Sequence, residues 1–432
     1  MFLKSHHGGG RKTRFLTVLD VGSSKVACLI ACLRPLKHSQ HLHGRTHFME
    51  ILGFGVQRSC GIKSGVVMDM LAAEKSIRLA VGAAEKMAGL VVDSVIVNFS
   101  SNRLKSAFVN GTVHLGGREV TARDMRMALA DVSRKVFDAD RHIVHSIPVS
   151  YALDGDKGIS DPIGMIGELF GVDVHVVTAE TASLRNLEAC INRAHLSVEA
   201  MVATPFASGL AVLINDEARL GAACIDFGAG TTTFSIFSEG KFVHAYTLAI
   251  GGHHITLDVA RGLSMSIEEA ERLKVMYGST LSESAPDHHM INVAEIGNEH
   301  YKTQYPCAVL GRIIRARVEE ILEMLRDYLN CSGFGHIIGK RVILTGGASQ
   351  LTGLPEMARN ILGRNVRIGR PLGVSRLPAP AKGAAFSSAV GLLIYPQLAG
   401  FEEKTIQTTV RQLSTGTGGY FQRVGQWLRE SF

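Results

Sequence analysis

Two short stretches, one in each half of the chain, repeat a design that constrains the fold more than anything else in the sequence. FLTVLDVGSSKVACLIA, residues 15–31, reads as an apolar strand up to Asp20, a Gly-Ser-Ser turn, and a second apolar strand after Lys25. GAACIDFGAGTTTFSIFS, residues 221–238, reads as a strand, Asp226, Gly228, Gly230, a threonine run and a strand. One such turn is an ordinary hairpin. Two of them, each running strand, Asp, apolar residue, Gly and small polar residues, indicate an internal duplication.

The residue types point to phosphate. Glycines let backbone N–H groups approach an anion, Ser and Thr hydroxyls add donors, and a Lys supplies countercharge. Asp20 and Asp226 facing each other would repel, so a hydrated Mg²⁺ between them is a natural occupant. The two hairpins are therefore expected to clasp a nucleoside triphosphate from both sides. RVILTGGASQLTGLPEMARNIL, residues 341–362, reads as a strand, a Gly346-Gly347 turn and a helix, with a turn backbone open to a flat or anionic ligand. IEEAERLKVMYG, residues 267–278, reads as a charged helix with Glu271 and Lys274 three apart on one face, by itself a surface salt bridge. No Walker A or GxGxxG pattern competes for the nucleotide role. The DFG at residues 226–228 lacks the HRD and VAIK companions of a protein kinase.

A chain of 432 residues, 46% hydrophobic, can bury a large core and is long enough for two or more domains. Its start, MFLKSHHGGGRKTRF, lacks the apolar core of about 7–15 residues of a signal peptide. No uninterrupted apolar run reaches the roughly 18 residues of a membrane span. The expectation is a cytoplasmic protein whose membrane attachment, if any, is peripheral. Seven cysteines, scattered through segments such as ACLIACL, read as small buried residues of a reducing compartment. Cys28 and Cys32 are too isolated for a metal site, and the pairs His253-His254 and His288-His289 read as surface or loop residues. The net charge of +7 fits an anionic partner. No basic run with interleaved aromatics lies outside the first 14 residues and the tail, so nucleic acid is not expected as a partner. The stretch from Pro35 to Phe48 reads as an exposed insertion.

The chain closes with GYFQRVGQWLRESF, residues 419–432, which contains Trp427, its only tryptophan. At about 100° per residue, Tyr420, Phe421, Val424, Trp427, Leu428 and Phe432 fall within an arc of roughly 140°. Gln422, Arg423, Gln426, Arg429 and Glu430 take the opposite arc. The stretch before it, from Pro396 to Gly419, ends in Ser, Thr and Gly without apolar period and reads as a flexible tether. A tethered helix of this composition is expected at a membrane interface.

DVGSSKV, DFGAGTTTF and ILTGGASQL resemble the phosphate-1, phosphate-2 and adenosine motifs of the actin, Hsp70 and sugar kinase superfamily. Within it, the chain from residue 13 to 432 resembles the FtsA family of bacterial cell-division proteins. Residues 145–167 resemble the end of that family's 1C subdomain, residues 249–274 the start of its 2B subdomain, and the tail its membrane-targeting helix. The resemblance implies an α/β, two-lobed actin-like ATPase fold with a duplicated β-sheet core, an inserted 1C subdomain and a C-terminal amphipathic helix. It implies subdomain 1A in three parts (13–91, 179–203, 378–395), 1C at 92–178, 2A in two parts (204–257, 331–377) and 2B at 258–330. A linker at 396–419 and the helix at 420–432 complete the scheme.

Carried over by motif, ATP and Mg²⁺ are the implied cofactors. Asp20, Gly22, Ser23, Ser24 and Lys25 would hold the phosphates from one side, and Asp226, Gly228, Gly230, Thr231 and Thr232 from the other. Asp20 and Asp226 would also hold Mg²⁺ through water and position it for weak catalysis. Gly346, Gly347 and Ala348 would face the adenosine, with Glu271 and Lys274 bracketing the adenine ring. In residues 198–213, where actin has a Gln and Hsp70 a Glu, Thr204 or Pro205 stands here. Neither is a general base, so hydrolysis is expected to be slow.

The implied partners are the FtsZ C-terminal peptide at 2B, further copies of this chain in filaments, later divisome proteins at 1C, and anionic lipids at the C-terminal helix. The helix at 310–329 is expected to turn Ile313, Ile314, Val318, Ile321, Leu322 and Leu325 to the core and to offer Arg317 and Glu320 to the FtsZ peptide. The implied location is the cytoplasmic face of the inner membrane, at the septum. A small-molecule kinase of the same superfamily and a PilM-like assembly protein are the alternatives, and neither has use for the amphipathic tail.

Overall fold

The two Asp-bearing hairpins occupy the same place in two sheets of the same topology. The computed structural model describes residues 14–35, 45, 47–281, 290–295 and 298–398. The first sheet runs Ser197–Ala203, Ser94–Phe99, Arg14–Val21, Lys25–Pro35, His47–Arg58, with Val374–Ser375 added at its edge. The second runs Asn365–Ile368, Arg341–Thr345, Ala222–Phe227, Thr232–Ser238, Lys241–Leu248. In both, a hairpin is extended by a third antiparallel strand on one side and two parallel strands on the other. The duplication therefore extends from the turns to whole five-stranded units.

The central strands are apolar almost without alternation because both faces are covered; every residue of Ala222–Phe227 is buried. Helix Met70–Ala88 starts on an Asp69 N-cap and stops at Gly89 with φ 66°. It lies close on the first sheet because the strand beneath it carries glycine, where a Cβ at Gly55 would fall 1.9 Å from Ala80 O. Helices Thr204–Val212 and Ser387–Leu398 have no polar face and are buried over nearly all their length. They cross where a Cβ on Gly391 would sit 1.7 Å from Ala207 O, so glycine is required there.

The inserted unit is a four-stranded antiparallel sheet in the order Lys105–Glu119, Ile166–Glu180, Arg141–Leu153, Asp156–Ile159. Helix Ala122–Val136, opened by a Thr121–Asp124 capping box, packs on it over a separate core that includes Leu129, Val132, Phe170, Val172 and Val174. On the second lobe, helices Gly252–Gly262, Ile267–Tyr277 and Cys307–Cys331 accompany the hairpin Met290–Glu295 and Asn298–Pro306. The long helix buries Ile314, Val318, Ile321, Leu322 and Leu325 as its periodicity predicts, while Ile313 is only partly covered.

Several expectations need correction. Helix Ser387–Leu398 runs through Pro396 and buries it, so the first three positions of the expected linker belong to the core. Lacking an N–H, Pro396 gives up the bond that this position would make to Leu392 O. Between strand Arg341–Thr345 and helix Leu354–Leu362 lies a 3₁₀ turn, Gly347–Gln350, so the glycines do not open the helix directly. His253 and His254 lie in the first turn of a helix instead of a loop, with His253 at the surface and His254 half-buried. Arg45 donates to Leu372 O and, at 3.4 Å, to Leu210 O, and His47 is buried, so this end of the expected exposed insertion is packed. Cys60 and Cys331 are exposed, unlike the buried Cys28, Cys32, Cys190 and Cys224.

The remaining insertion residues 36–44 and Thr46, His288 and His289, and the whole tail with Tyr420, Phe421, Val424, Trp427, Leu428 and Phe432 lie outside the described residues. Among the described residues no helix is long and apolar enough to cross a membrane.

Candidate functional site

The two hairpin turns are built alike. Each has four loop residues between the paired positions Val21/Val26 and Phe227/Thr232, and each closes with one bond of the same kind. Gly22 N donates to Lys25 O at 3.0 Å, and Gly228 N to Thr231 O at 3.0 Å. In both, the aspartate two positions before the glycine ends up buried at the rim of its sheet. Burial pushes Asp20 up to about 6, against the pull of the Lys25 charge and with a further push from Asp226. Burial also raises Asp226, opposed by a hydrogen bond from Ser208 and by Lys25. One lysine thus serves two carboxylates whose charges oppose each other.

Lys25 itself is held by the chain. Its Nζ donates to Ala385 O at 2.6 Å and stands 4.7 Å from the centre of the Phe386 ring. The first turn is also fixed from behind: Val21 N donates to Asn98 Oδ1 at 2.6 Å, and Asn98 Nδ2 donates to Thr204 Oγ1 at 3.2 Å. The start of helix Thr204–Val212, where a water-orienting residue was sought, therefore presents a threonine already accepting from Asn98 and a proline.

The loops of the two lobes touch. Ser64 Oγ donates to Gly230 O at 3.2 Å, and the Ser100 and Thr231 hydroxyls lie 3.0 Å apart. A Cβ on Gly230 would lie 2.5 Å from Ser23 Oγ and 3.0 Å from Ser64 N. Ser64 and Gly65 form the tip of a small hairpin, Ile62–Lys63 with Val66–Val67, with φ values of 48° and 77°. A Cβ on Gly65 would overlap Ser100 O at 1.1 Å, which restricts that tip to glycine.

On the other side of the cleft, helix Gly252–Gly262 starts beside the second turn, with Gly252 N donating to Gly228 O at 2.9 Å and His253 N to Ala229 O at 2.8 Å. Lys274 is buried and donates to Gly252 O, Thr256 Oγ1 and Glu271 Oε2 at 3.0, 2.8 and 2.7 Å. Burial would raise Glu271, but the charge and hydrogen bond of Lys274 and a bond from Thr256 outweigh it and leave the carboxyl below its ordinary range. The pair is therefore an anchored group and not the surface salt bridge that spacing alone suggests. Ala348 joins it, since a Cβ on Gly252 would lie 3.1 Å from Ala348 Cβ and 3.7 Å from Lys274 Nζ.

Two residues differ from their expected roles. Gly346, at φ 87°, is required by the protein itself, because a Cβ there would meet Asp226 Oδ1 at 2.2 Å. Thr232 is fully buried and donates to Ile250 O at 2.7 Å, so its hydroxyl is taken up by the connection that leads into helix Gly252–Gly262. Gly347 has only Ala385 Cβ, at 3.9 Å, near the position of its missing side chain. Ser23 is half-buried and Ser24 exposed at the first turn. Asn98, Ser64, Ser100, Ser208 and the segment Gly383–Phe386 were not found from sequence. A cavity of about 630 Å³ beside the 3₁₀ turn is lined by Gln350, Glu356, Arg370 and Lys382 and includes none of the paired aspartates or Lys274. Among the described residues no three His, Cys, Asp or Glu side chains gather as a direct metal shell. Arg317, in the long helix, is bound by both oxygens of Asp258, on helix Gly252–Gly262, and by Glu320.

Comparison with known proteins decides what this architecture belongs to. Residues 223–391 match the family model of the cell division protein FtsA, and residues 101–178 that of the SHS2 domain inserted in FTSA. The cell division protein FtsA of Rhizobium meliloti (strain 1021) is 55% identical over 424 residues, covering 98% of this chain and 96% of that one. This chain belongs to the FtsA family. FtsA of Agrobacterium fabrum (strain C58) is 54% identical over 440 residues, covering 100% and 99% of the two chains. The protein is accordingly an ATP-binding, actin-like cell-division scaffold with an inserted SHS2 domain. The structure of a PilM-PilN type IV pilus biogenesis complex superimposes with a TM-score of 0.62 at 17% identity, over 89% of this chain and 98% of that one. That likeness concerns the fold alone, and the FtsA identities decide against the PilM-like and small-molecule kinase alternatives.

Proposed function

We propose that this FtsA-family scaffold closes its cleft on Mg²⁺-ATP and carries FtsZ to the cytoplasmic face of the inner membrane at the septum. The observation that carries the nucleotide part is the pair of matched turns, with Asp20 and Asp226 buried in the field of Lys25 and Gly230 packed on Ser23 and Ser64. Two buried carboxylates, each with its proton affinity raised by burial, fit a divalent cation held through its water shell. Gly22, Ser23, Ser24 and Lys25 on one lobe and Gly228, Gly230 and Thr231 on the other would then hold the phosphates. Gly347, Ala348, Glu271 and Lys274 would border the adenosine. Magnesium supplies charge neutralisation when bound; the protein supplies the fixed dipoles around it.

With Thr204 and Pro205 at the start of the helix below the phosphates, ATP sets conformation and assembly more than it fuels turnover. FtsZ's C-terminal peptide would dock on subdomain 2B near Arg317 and Glu320, later divisome proteins on the inserted subdomain, and anionic lipids on the tail. Filaments of this chain would join many weakly bound tails and raise their combined membrane affinity.

The test is co-sedimentation of FtsZ with anionic liposomes, in the presence of the full chain or of a chain ending at Gly419. FtsZ should pellet only with the full chain. If the full chain reaches the liposomes without FtsZ, the tethering role is wrong; if the truncated chain carries FtsZ down equally well, the tail is not the membrane contact.

A further inference from the structure

A chain of four buried or half-buried side chains crosses from the inserted subdomain to the far end of the long helix. His175, on Ile166–Glu180, and Ser106, on Lys105–Glu119, belong to the inserted sheet. His244 lies on Lys241–Leu248, the edge strand of the second lobe's sheet, and Tyr328 in the long helix Cys307–Cys331. His175 Nε2 is 2.7 Å from Ser106 Oγ, Ser106 Oγ is 3.2 Å from His244 Nδ1, and His244 Nε2 is 2.6 Å from Tyr328 OH.

The proton positions follow from the ends inward. His175 Nδ1 lies 2.9 Å from Phe242 O, a pure acceptor, so Nδ1 carries the proton and Nε2 must accept. Ser106 therefore donates its hydroxyl proton to His175. Its oxygen then accepts from Ala245 N at 3.2 Å and from His244 Nδ1. That leaves His244 Nε2 as an acceptor for the Tyr328 hydroxyl. Every donor has one acceptor, and the order holds only with both imidazoles neutral. Burial pushes His175 down to about 3 and His244 to about 4, and pushes Tyr328 up to about 12, so all three carry the protons that the chain needs.

Packing reinforces the same path. Tyr246 stacks on Tyr328 with centroids 3.6 Å apart, Phe334 stacks on His244 at 4.5 Å, and Phe108 of the inserted sheet meets Phe334 at 6.1 Å. Beside it, Lys241 Nζ donates to Val149 O of the inserted sheet at 2.6 Å. The inserted subdomain has its own core, so it could have been a loosely hung unit. Instead, a fully directed hydrogen-bond chain ties it to a helix of the other lobe.

We propose that Tyr328, His244, Ser106 and His175 form a joint that makes the inserted subdomain follow the long helix, so that displacement of one is transmitted to the other. The joint depends on no particular partner. It would make any surface on that helix and any surface on the inserted subdomain energetically interdependent.

The test is amide hydrogen exchange on the full chain as wild type, Tyr328→Phe, Ser106→Ala and the double variant. Tyr328→Phe removes one oxygen and keeps the stack on Tyr246, leaving His244 Nε2 buried without a donor. Amides at 105–108 and 174–177 should exchange roughly tenfold faster in each single variant, the scale of one buried unsatisfied group. The double variant should add little, because a chain broken once no longer transmits. Amides of Ala222–Phe227 serve as the reference for any global loss of stability, and Tyr246→Phe, outside the chain, should leave the inserted subdomain unchanged. Faster exchange confined to the surroundings of Tyr328, or single effects that multiply in the double variant as independent sites do, would overturn the proposal. Should Tyr328→Phe fail to fold, Ser106→Ala carries the test: unchanged exchange along the last turns of Cys307–Cys331 would refute the joint.

Discussion

Replacing Asp20 by asparagine should make the nucleotide-free protein more stable and the nucleotide-bound protein no more stable than that. Native Asp20 keeps its proton up to about 6, whereas the ordinary value is 3.8; the difference corresponds to about 3 kcal/mol against the ionised native state. Asparagine removes that net penalty, in which the attraction of Lys25 is already counted, but its amide keeps part of the cost of burial, so a net gain of about 1–2 kcal/mol is expected. The pH dependence has a definite sign. The native state binds this proton more tightly than the unfolded chain, so the penalty is absent below about pH 4, grows between about 4 and 6, and is complete above.

Urea denaturation of both proteins without nucleotide or metal, at intervals from pH 4 to 7.5, would measure it. The stability advantage of Asp20→Asn should rise across the window from about 4 to 6 and then level off. Repeating the series with Mg²⁺-ATP should stabilise the wild type by mass action and leave the variant where it was. A variant less stable than wild type at pH 7 without ligand would refute the electrostatic account of the site. Equal stabilisation of both by Mg²⁺-ATP would remove Asp20 from the metal's surroundings.

Other outcomes follow from single contacts. Gly391→Ala places a Cβ 1.7 Å from Ala207 O and must separate the two central helices; overpacking of about 1–3 kcal/mol should lower the melting temperature by roughly 1–3 °C. It should also weaken nucleotide binding, since Ser208 moves with Ala207, as a fluorescent ATP analogue would report. Arg317→Ala should weaken binding of the FtsZ C-terminal peptide, and Asp258→Asn, which removes one of the two carboxylates holding the same guanidinium, should preserve or strengthen it; equal losses would make the pair structural. Phosphate release with saturating Mg²⁺-ATP should be far below the roughly 1–100 per second of protein kinases.

The parts of this site that were legible in the sequence share one property: they repeat, or they restrict the backbone. The Asp20 and Asp226 turns could be matched to each other, and the pairing of Glu271 with Lys274 follows from helical spacing. Asn98, Ser64, Ser100 and Ser208 are single small polar residues brought in by strand order. Asn98 reaches Val21 across 77 positions, and Ser64 reaches Gly230 across 166. Ala385 acts through a carbonyl that any residue would supply. Gly346 shows why a glycine signals close approach without saying of what: its missing side chain makes room for Asp226 Oδ1. The tethers of the inserted subdomain were invisible for the same cause as Asn98: His175, Ser106 and His244 carry no spacing relation.

The duplication also explains where the two halves had to diverge. By strand register, Asn98 stands to the first turn as Thr345 stands to the second. Each bonds the first residue of the helix that follows its own lobe's sheet: Asn98 reaches Thr204, and Thr345 lies 2.6 Å from Ser387. Four residues on, the copies part. The first helix has Ser208, which donates to Asp226 of the second sheet, on which that helix packs; the second has Gly391, which leaves room for the carbonyl of Ala207. Two serines at that crossing would hold the helices apart, and two glycines would leave Asp226 without its donor. A symmetrical ancestor of this cleft could pack its helices closely or hold its second aspartate, and the asymmetry at Ser208 and Gly391 allows both.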